Sequence, residues 1–244
     1  MSHRIIFLWS VPRAVSTSFE RMMSARGDHT VFDEPFSHSY YFGPDRRSAR
    51  FDRTLPDSSA GEVLEKIERA ALRRPVFVKD MPYQAAELLG PGLLNRFENC
   101  FLVRDPAATL RSLARRWPDF TDDESGWGHL DQAARTTESL GQPRVVLDAN
   151  ILCRDPSSVV REWCARMDLP YHPDALTWEP GMQSEWGLWG DWHAATARAT
   201  GFSELREPPP PPTPDEPRLH EAYQAAIPVY RNLLMGAIGA DRSD

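Results

Sequence analysis

Five short runs of aliphatic and aromatic residues constrain this chain most: residues 4–9 (RIIFLW), 30–33, 75–79, 99–103 and 144–147. They are nearly continuous in apolar residues rather than alternating, so each strand has to be covered on both faces. That is the condition of a parallel sheet packed between helices. Segments of helical character lie between and after them, at 17–25, 61–73, 83–89, 107–117, 126–140 and 156–167. The last of these has Asp155 as its cap and Pro156 at the first helical position. The βαβα order therefore predicts a three-layer α/β/α domain around a mostly parallel sheet of about five strands.

Two segments break the alternation. Residues 40–59 hold many Arg, Asp and Ser residues and read as a long excursion with the character of a lid. Residues 207–217, EPPPPPTPDEP, form a polyproline spacer. Beyond it Leu219, Tyr223, Ile227, Tyr230 and Leu234 recur at helical spacing, interrupted by Pro228, so the spacing predicts a kinked terminal helix. The expected organisation is one α/β domain over 1–206, the spacer over 207–217, and a helix within 218–244 that docks on the same domain.

Composition narrows the class. A net charge of −7, from 28 basic and 35 acidic residues, lacks the basic balance of a nucleic-acid binder. No apolar run approaches the length of a membrane span, and the apolar stretch near the N-terminus is too short for a signal-peptide core. Cys100, Cys153 and Cys164 form no CxxC pair and no zinc spacing, which leads us to expect reduced core thiols in a cytoplasm and no metal. Among the basic residues 26 are Arg and two are Lys, Lys66 and Lys79, which makes the position of each lysine informative.

The chemistry gathers at the carboxyl ends of the expected strands, where open parallel sheets bind ligands. After the first strand comes SVPRAVSTSFERMM, a tight loop and a helix start. Free backbone N–H groups, the helix dipole and the hydroxyls of Ser16, Thr17 and Ser18 suit an anionic phosphate-like group there, with Arg13 adding a full charge. The loop is no Walker A motif, since no GxxxxGK[ST] is present. The fourth strand ends in FLVRDPAATLRSL, with Arg104 at the strand end and Ser112 eight residues on. The third ends in VFVKDMP, with Lys79. Arg13, Lys79 and Arg104 together make a pocket for a small polyanion.

PRAVST resembles the 5′-phosphosulfate loop of sulfotransferases, usually written PRSGTT, with Pro12, Arg13, Ser16 and Thr17 in matching places. RDPAATLRS is similar to their 3′-phosphate motif. WGLWGDWH carries Gly187, Gly190, Asp191 and Trp192 in the GxxGDW spacing of the cytosolic enzymes' cofactor loop. WSVPRAVST, DEPF, VKDM, FLVRDP and VLDANILCRDP together resemble a bacterial sulfotransferase-like family, over residues 4–202. The sequence also departs from these patterns. Val15 stands in place of the loop's glycine, Glu185–Trp186 replaces the Arg-Lys pair before GxxGDW, and Met81 falls near the place of the cytosolic enzymes' catalytic His. Another branch uses a carboxylate after the second strand, a place that Glu34 fits.

The resemblance implies a P-loop-like fold and transfer of a sulfuryl group from 3′-phosphoadenosine 5′-phosphosulfate (PAPS) to a hydroxyl of a small-molecule acceptor, aromatic or apolar, leaving 3′-phosphoadenosine 5′-phosphate (PAP). It implies Arg13 on the 5′-phosphosulfate, Lys79 on the transferring group, Arg104 and Ser112 on the 3′-phosphate, and Glu34 as base, with Asp33, Asp80 and His38 as alternatives. His38 and His193 also read as packing residues. Trp186, Trp189 and Trp192 suit either adenine stacking or the core, and Phe36, Tyr40, Tyr41 and Phe42 either an acceptor pocket or packing. Two further readings are a PAPS- or PAP-binding protein without transfer activity and a nucleotide-dependent kinase on a related fold.

Overall fold

The computed structural model describes residues 2–239. Five strands, β1 (Ile5–Ser10), β2 (Thr30–Asp33), β3 (Val76–Asp80), β4 (Glu98–Val103) and β5 (Val146–Asp148), form one sheet in the order β2-β3-β1-β4-β5 with every pairing parallel. The helices are α1 (Ser16–Arg26), α2 (Ser37–Phe42), α3 (Ala60–Ala71), α4 (Pro91–Leu94), α5 (Pro106–Arg116), α6 (Asp122–Ser125), α7 (Trp127–Ser139), α8 (Ala149–Arg154), α9 (Pro156–Arg166), α10 (Ala194–Ala197) and α11 (Pro217–Leu234).

Alternation along the strands divides the core into two layers. Ile5, Phe7 and Trp9 of β1, with Val76, Val78, Phe101 and Val103, pack against residues of α3, α5, α7 and α11. Ile6 and Leu8, with Phe77, Cys100 and Leu102, face the opposite way, against Phe19, Met22 and Met23 of α1 and Val160 and Trp163 of α9. Both layers are apolar, as the unbroken runs required. All three cysteines are free and buried. Among the described residues no helix is long and apolar enough to cross a membrane.

Two expectations about elements change, at 83–89 and in the excursion over 40–59. The segment 83–89 is a string of turns: Gln84 N donates to Met81 O, Ala85 N to Pro82 O and Ala86 N to Tyr83 O, all three residues back rather than four. Tight turns aim Tyr83 and Gln84 inward, and the Gly90–Pro91 step ends the segment. The excursion opens with α2, which takes in Tyr40–Phe42, and the remainder is tied down. Arg50 pairs with the buried Glu124 and with Asp119, and lies 4.3 Å over the Trp117 ring. The helix expected at 126–140 is α7, and Gly126, at φ +81°, separates it from the short α6 before it.

Finally, α11 runs on through Pro228 and buries Ala222, Ala226 and Leu233. Residues 240–244 of the expected terminal segment lie outside the described residues. Helix α11 is anchored to the sheet through Asp148 at the end of β5. That carboxylate caps α8 by accepting from Asn150 N (2.8 Å) and Ile151 N (3.0 Å), and it accepts from Tyr230 Oη (3.1 Å). Asp148→Ala removes the cap and the tie together and is expected to cost about 1–2 kcal/mol in urea unfolding. Tyr230→Phe, which spares the cap, is expected to cost about 1 kcal/mol or less.

Candidate functional site

Strand β1 stands at the centre of the sheet, with β3 on one side and β4 on the other, so the chain changes direction across its carboxyl end. A cavity of about 270 Å³ opens there. The 12–18 loop, Glu34, Arg104, Tyr41, Met81, Tyr83, Gln84, Trp117, Trp189, Trp192 and His193 are among the residues that line it.

One end is cationic. Arg13 Nε donates to Ser112 Oγ (3.0 Å) and Arg104 Nη1 donates to the carbonyl of Arg13 (3.1 Å), so the two anion motifs seen in the sequence interlock. Burial, then Arg104, Arg116 and Arg115, push the Arg13 guanidinium below its usual value. Burial is also the largest influence lowering Arg104. Such a cluster is short of counter-charge and suits an anion. No side chain caps the N-terminus of α1, which leaves its first N–H groups for the same purpose. Trp192 lies between two guanidiniums, 5.8 Å from Arg13 and 5.2 Å from Arg116.

The backbone around this end is held in the left-handed region at Arg13 (φ 68°), Val15 (φ 61°) and Glu34 (φ 44°). Val15 occupies the place of the glycine in the sulfotransferase loop, so a β-branched residue adopts a backbone shape that glycine takes without cost.

The other end is aromatic. Tyr41, Trp117 and Trp189 pack edge to face around it, with Phe42 and Phe51 behind. Tyr41 and Tyr83 share a hydrogen bond of 3.0 Å, and Gln84 Nε2 donates to Tyr83 Oη (3.2 Å). Of Phe36, Tyr40, Tyr41 and Phe42 only Tyr41 reaches the cavity wall, whereas Phe36 packs on Phe7 in the core. Trp186 is likewise held away, its indole N–H donating to Glu20 (3.0 Å), while that of Trp189 donates to Ser37 (2.7 Å).

Between the two ends lies a buried charge cluster. Lys79 is fully buried, with its ammonium against Asp33, 2.6 Å from Glu34 and 3.9 Å from Glu20. The role expected for it, a cation on the transferring group, is not the one its position gives. Lys79 does not line the cavity, and three carboxylates already surround it. Burial alone would lower the ammonium's pKa, but Asp33, Glu34 and Glu20 outweigh it and leave the value raised. Burial alone would raise Asp33, but Lys79 and the hydrogen bond to His193 hold its carboxyl below the ordinary range. Glu20 is pushed well above that range by burial and by Asp33, against the pull of Lys79. The cluster therefore sets one ammonium among three acidic side chains, with Glu20 pushed toward its neutral form and Asp33 toward its ionised form.

The candidate bases now separate. Glu34 lines the cavity, with one oxygen on Lys79 and the other accepting from Gln84 Nε2 (3.0 Å). Asp33 lies behind it. Asp80 is fully buried and accepts from the backbone N–H groups of Phe36 (2.9 Å) and Met81 (2.7 Å), and burial pushes its carboxyl well up. His38 is absent from the wall. His193, which the sequence suggested as a packing residue, joins the site: Nε2 is 2.9 Å from Asp33 Oδ2 and Nδ1 is 3.2 Å from Thr17 Oγ1. The one sequence signal for it was its place directly after GxxGDW. Gly187 and Gly190 shape that loop without lining the cavity, Gly187 at φ 40°.

Asp33, Glu34 and His193 offer donor atoms within 4.8 Å of one another. The Lys79 ammonium lies against two of the three, so the cation of this cluster is the lysine's own.

A doubly covered parallel sheet with an uncapped helix and a cation cluster at its switch point defines an α/β protein whose cavity suits an anion at one end. The particular family follows from comparison: residues 4–237 match the sulfotransferase domain, and the chain belongs to that family. Sulfotransferase domains from the curacin biosynthetic pathway and from the Synechococcus PCC 7002 olefin synthase share the fold, with TM-scores of 0.53 and 0.54 at 14% identity. Each covers 92% of this chain, and 98% and 96% of theirs. Two Arabidopsis thaliana proteins, branched-chain-amino-acid aminotransferase-like proteins 2 and 1, are 28% and 29% identical over 239 and 219 residues. The matches cover 94% and 84% of this chain but 41% and 38% of those proteins, so the chain spans about two fifths of the length of these curated relatives.

Lys79→Met is expected to destabilise the fold by about 3–5 kcal/mol at neutral pH, because it leaves buried carboxylates unpaired. The sign with pH follows from Asp33. Its depressed folded pKa adds stability above the unfolded value near 3.9, and that stability is lost as pH falls through the folded value. In the variant the carboxylates protonate readily instead, so the gap between wild type and variant, measured by urea unfolding, narrows on acidification.

Proposed function

We propose that the protein moves a sulfuryl group from PAPS to a hydroxyl of a small-molecule acceptor. The observation that carries this reading is the interlock of Arg13, Ser112 and Arg104 beside an uncapped helix N-terminus, in a chain of the sulfotransferase family. Buried cations short of counter-charge fit the phosphate groups of such a nucleotide. In this reading Ser16, Thr17, Ser18 and Arg13 hold the 5′-phosphosulfate, Arg104 and Ser112 hold the 3′-phosphate, and the Trp192 ring lies beside the same guanidiniums. When bound, PAPS supplies the activated sulfuryl group, and PAP is the leaving product.

The chain's own work is positioning and charge stabilisation, the main needs of an in-line transfer through a loose transition state. Arg13 and the N-terminus of α1 meet charge that builds on the leaving phosphate oxygens. Glu34, held from behind by Lys79 and from the side by Gln84, accepts the acceptor hydroxyl's proton at the carboxylate edge that borders the cavity. Gln84 Oε1 is buried and without a hydrogen-bond partner, which leaves an acceptor for a second donor group on the substrate. The aromatic end, Tyr41, Tyr83, Trp117 and Trp189, excludes water and suits an apolar or aromatic acceptor body. Three free thiols, all buried, suit a reducing, cytoplasmic setting.

Calorimetric titration with PAP is expected to give clear binding, weakened about 10- to 100-fold in Arg104→Ala by loss of a charge-assisted contact. Equal affinity for adenosine 5′-phosphate would overturn the 3′-phosphate assignment. Preference for ATP with Mg²⁺ would favour a kinase. Glu34→Gln is expected to bind PAP normally and to slow sulfuryl transfer about 10²- to 10⁴-fold. Tight PAP binding by the wild type with no transfer across a broad acceptor screen would leave a nucleotide-binding protein.

A further inference from the structure

His193 is 5% exposed, yet it lines the cavity and touches both the anion loop and the charge cluster. Nε2 lies 2.9 Å from Asp33 Oδ2 and Nδ1 lies 3.2 Å from Thr17 Oγ1. Asp33 is an ionised acceptor, so Nε2 carries the hydrogen of the first contact. In the neutral ring Nδ1 is then an acceptor, and the hydrogen it takes is that of the Thr17 hydroxyl. A Thr17 hydroxyl that donates to His193 has no hydrogen left to give an anion on the loop. In the imidazolium the roles reverse: Nδ1 donates to Oγ1, and the hydroxyl hydrogen turns outward.

The surrounding charges act in the same direction. Facing His193 are Asp33 at the end of β2 and Glu34 just after it, from β3 Lys79 through Asp33, and from α1 Glu20, whose carboxyl burial pushes up and which accepts from Trp186. Trp186 packs at 5.1 Å on the imidazole, and Arg13 and Arg104 line the cavity beyond the loop. Three acidic side chains surround one ammonium behind the loop where the anion has to lie, and a proton on His193 adds a second positive charge there.

We infer that His193 is a positioning residue for the anionic donor: binding of the nucleotide's 5′-phosphate group is coupled to protonation of this ring, which turns the Thr17 hydroxyl from the ring to the anion. The inference rests on the nucleotide-binding reading above and adds a proton to it. Affinity for the nucleotide therefore falls when the ring loses its proton.

The test is calorimetric titration of the full chain with PAP, in buffers of different ionisation enthalpy and across neutral pH. Wild type is expected to take up a proton on binding and to lose affinity by up to about tenfold per pH unit on the alkaline side. His193→Gln can still donate to Asp33 but does not titrate. It is expected to bind with a flatter pH dependence and without the additional uptake, the ligand's own phosphate protons being common to both proteins. Thr17→Val, nearly isosteric, tests the coupling from the other end and is expected to lose the same uptake.

Equal proton uptake in wild type and His193→Gln overturns the inference while leaving nucleotide binding intact. Uptake retained in Thr17→Val overturns the turning of the hydroxyl. No PAP binding by the wild type overturns the donor reading and, with it, this one.

Discussion

The Lys79 ammonium, buried among three carboxylates, is the interaction on which the site depends. It joins the carboxyl end of β3 to that of β2 through Asp33 and Glu34, and to α1 through Glu20. The parallel register makes this possible. Asp33 stands opposite Lys79, and Lys79 lies two residues beyond Phe77, so both side chains leave the strand on the face that α1 covers. A slip of one residue would turn the ammonium to the opposite layer, among Val76 and Val78. Isolated charges at such depth would be untenable. Here burial pushes Glu20 toward its neutral form, and Lys79 pairs with Asp33 and Glu34.

The same cluster separates two unlike halves of the cavity. On one side arginines and helix N–H groups form a positive wall. On the other, tyrosine and tryptophan rings form an apolar one. Glu34 is the group the cluster presents at the boundary, and its left-handed backbone is one device that puts it there. Positive φ at Arg13 and Val15 on the facing loop is the second. Strain of about 1–2 kcal/mol per residue is tolerated where the surrounding structure over-determines the conformation. Both facing walls of the cavity are thus held by backbone conformations that only a rigid surrounding can maintain.

Strands and anion motifs were legible in the sequence for one physical reason. Buried parallel strands must be continuously apolar, and ligands of such sheets sit at strand ends, so VFVKD and FLVRD announce both a strand and a functional position. Partners across long separations were not legible. Lys79 stood out by rarity, but rarity does not say whether a cation meets a ligand or a carboxylate. The answer depends on which strand pairs with β3. The contact between Asp33 and His193 spans 160 residues, and the Arg50 tie to Glu124 spans 74. Residues 83–89 failed for a local reason. Tyr83 and Gln84 serve the cavity wall, and tight turns present them where an α-helix was expected.

The lopsided basic composition takes on meaning at this site. An arginine stays charged even when buried beside other arginines, and its planar fork suits phosphate oxygens, so Arg13 and Arg104 can face one another across an anion. The cluster behind Glu34 asks for the opposite geometry. Asp33, Glu34 and Glu20 approach from two elements toward one point, with Nζ at 2.6 Å from Glu34 and 3.9 Å from Glu20. A compact ammonium on a flexible stem can lie at such a point, whereas a guanidinium spreads its charge over a rigid plane and needs more room. With 26 arginines in the chain, a lysine at this one buried position is what the convergence of carboxylates requires.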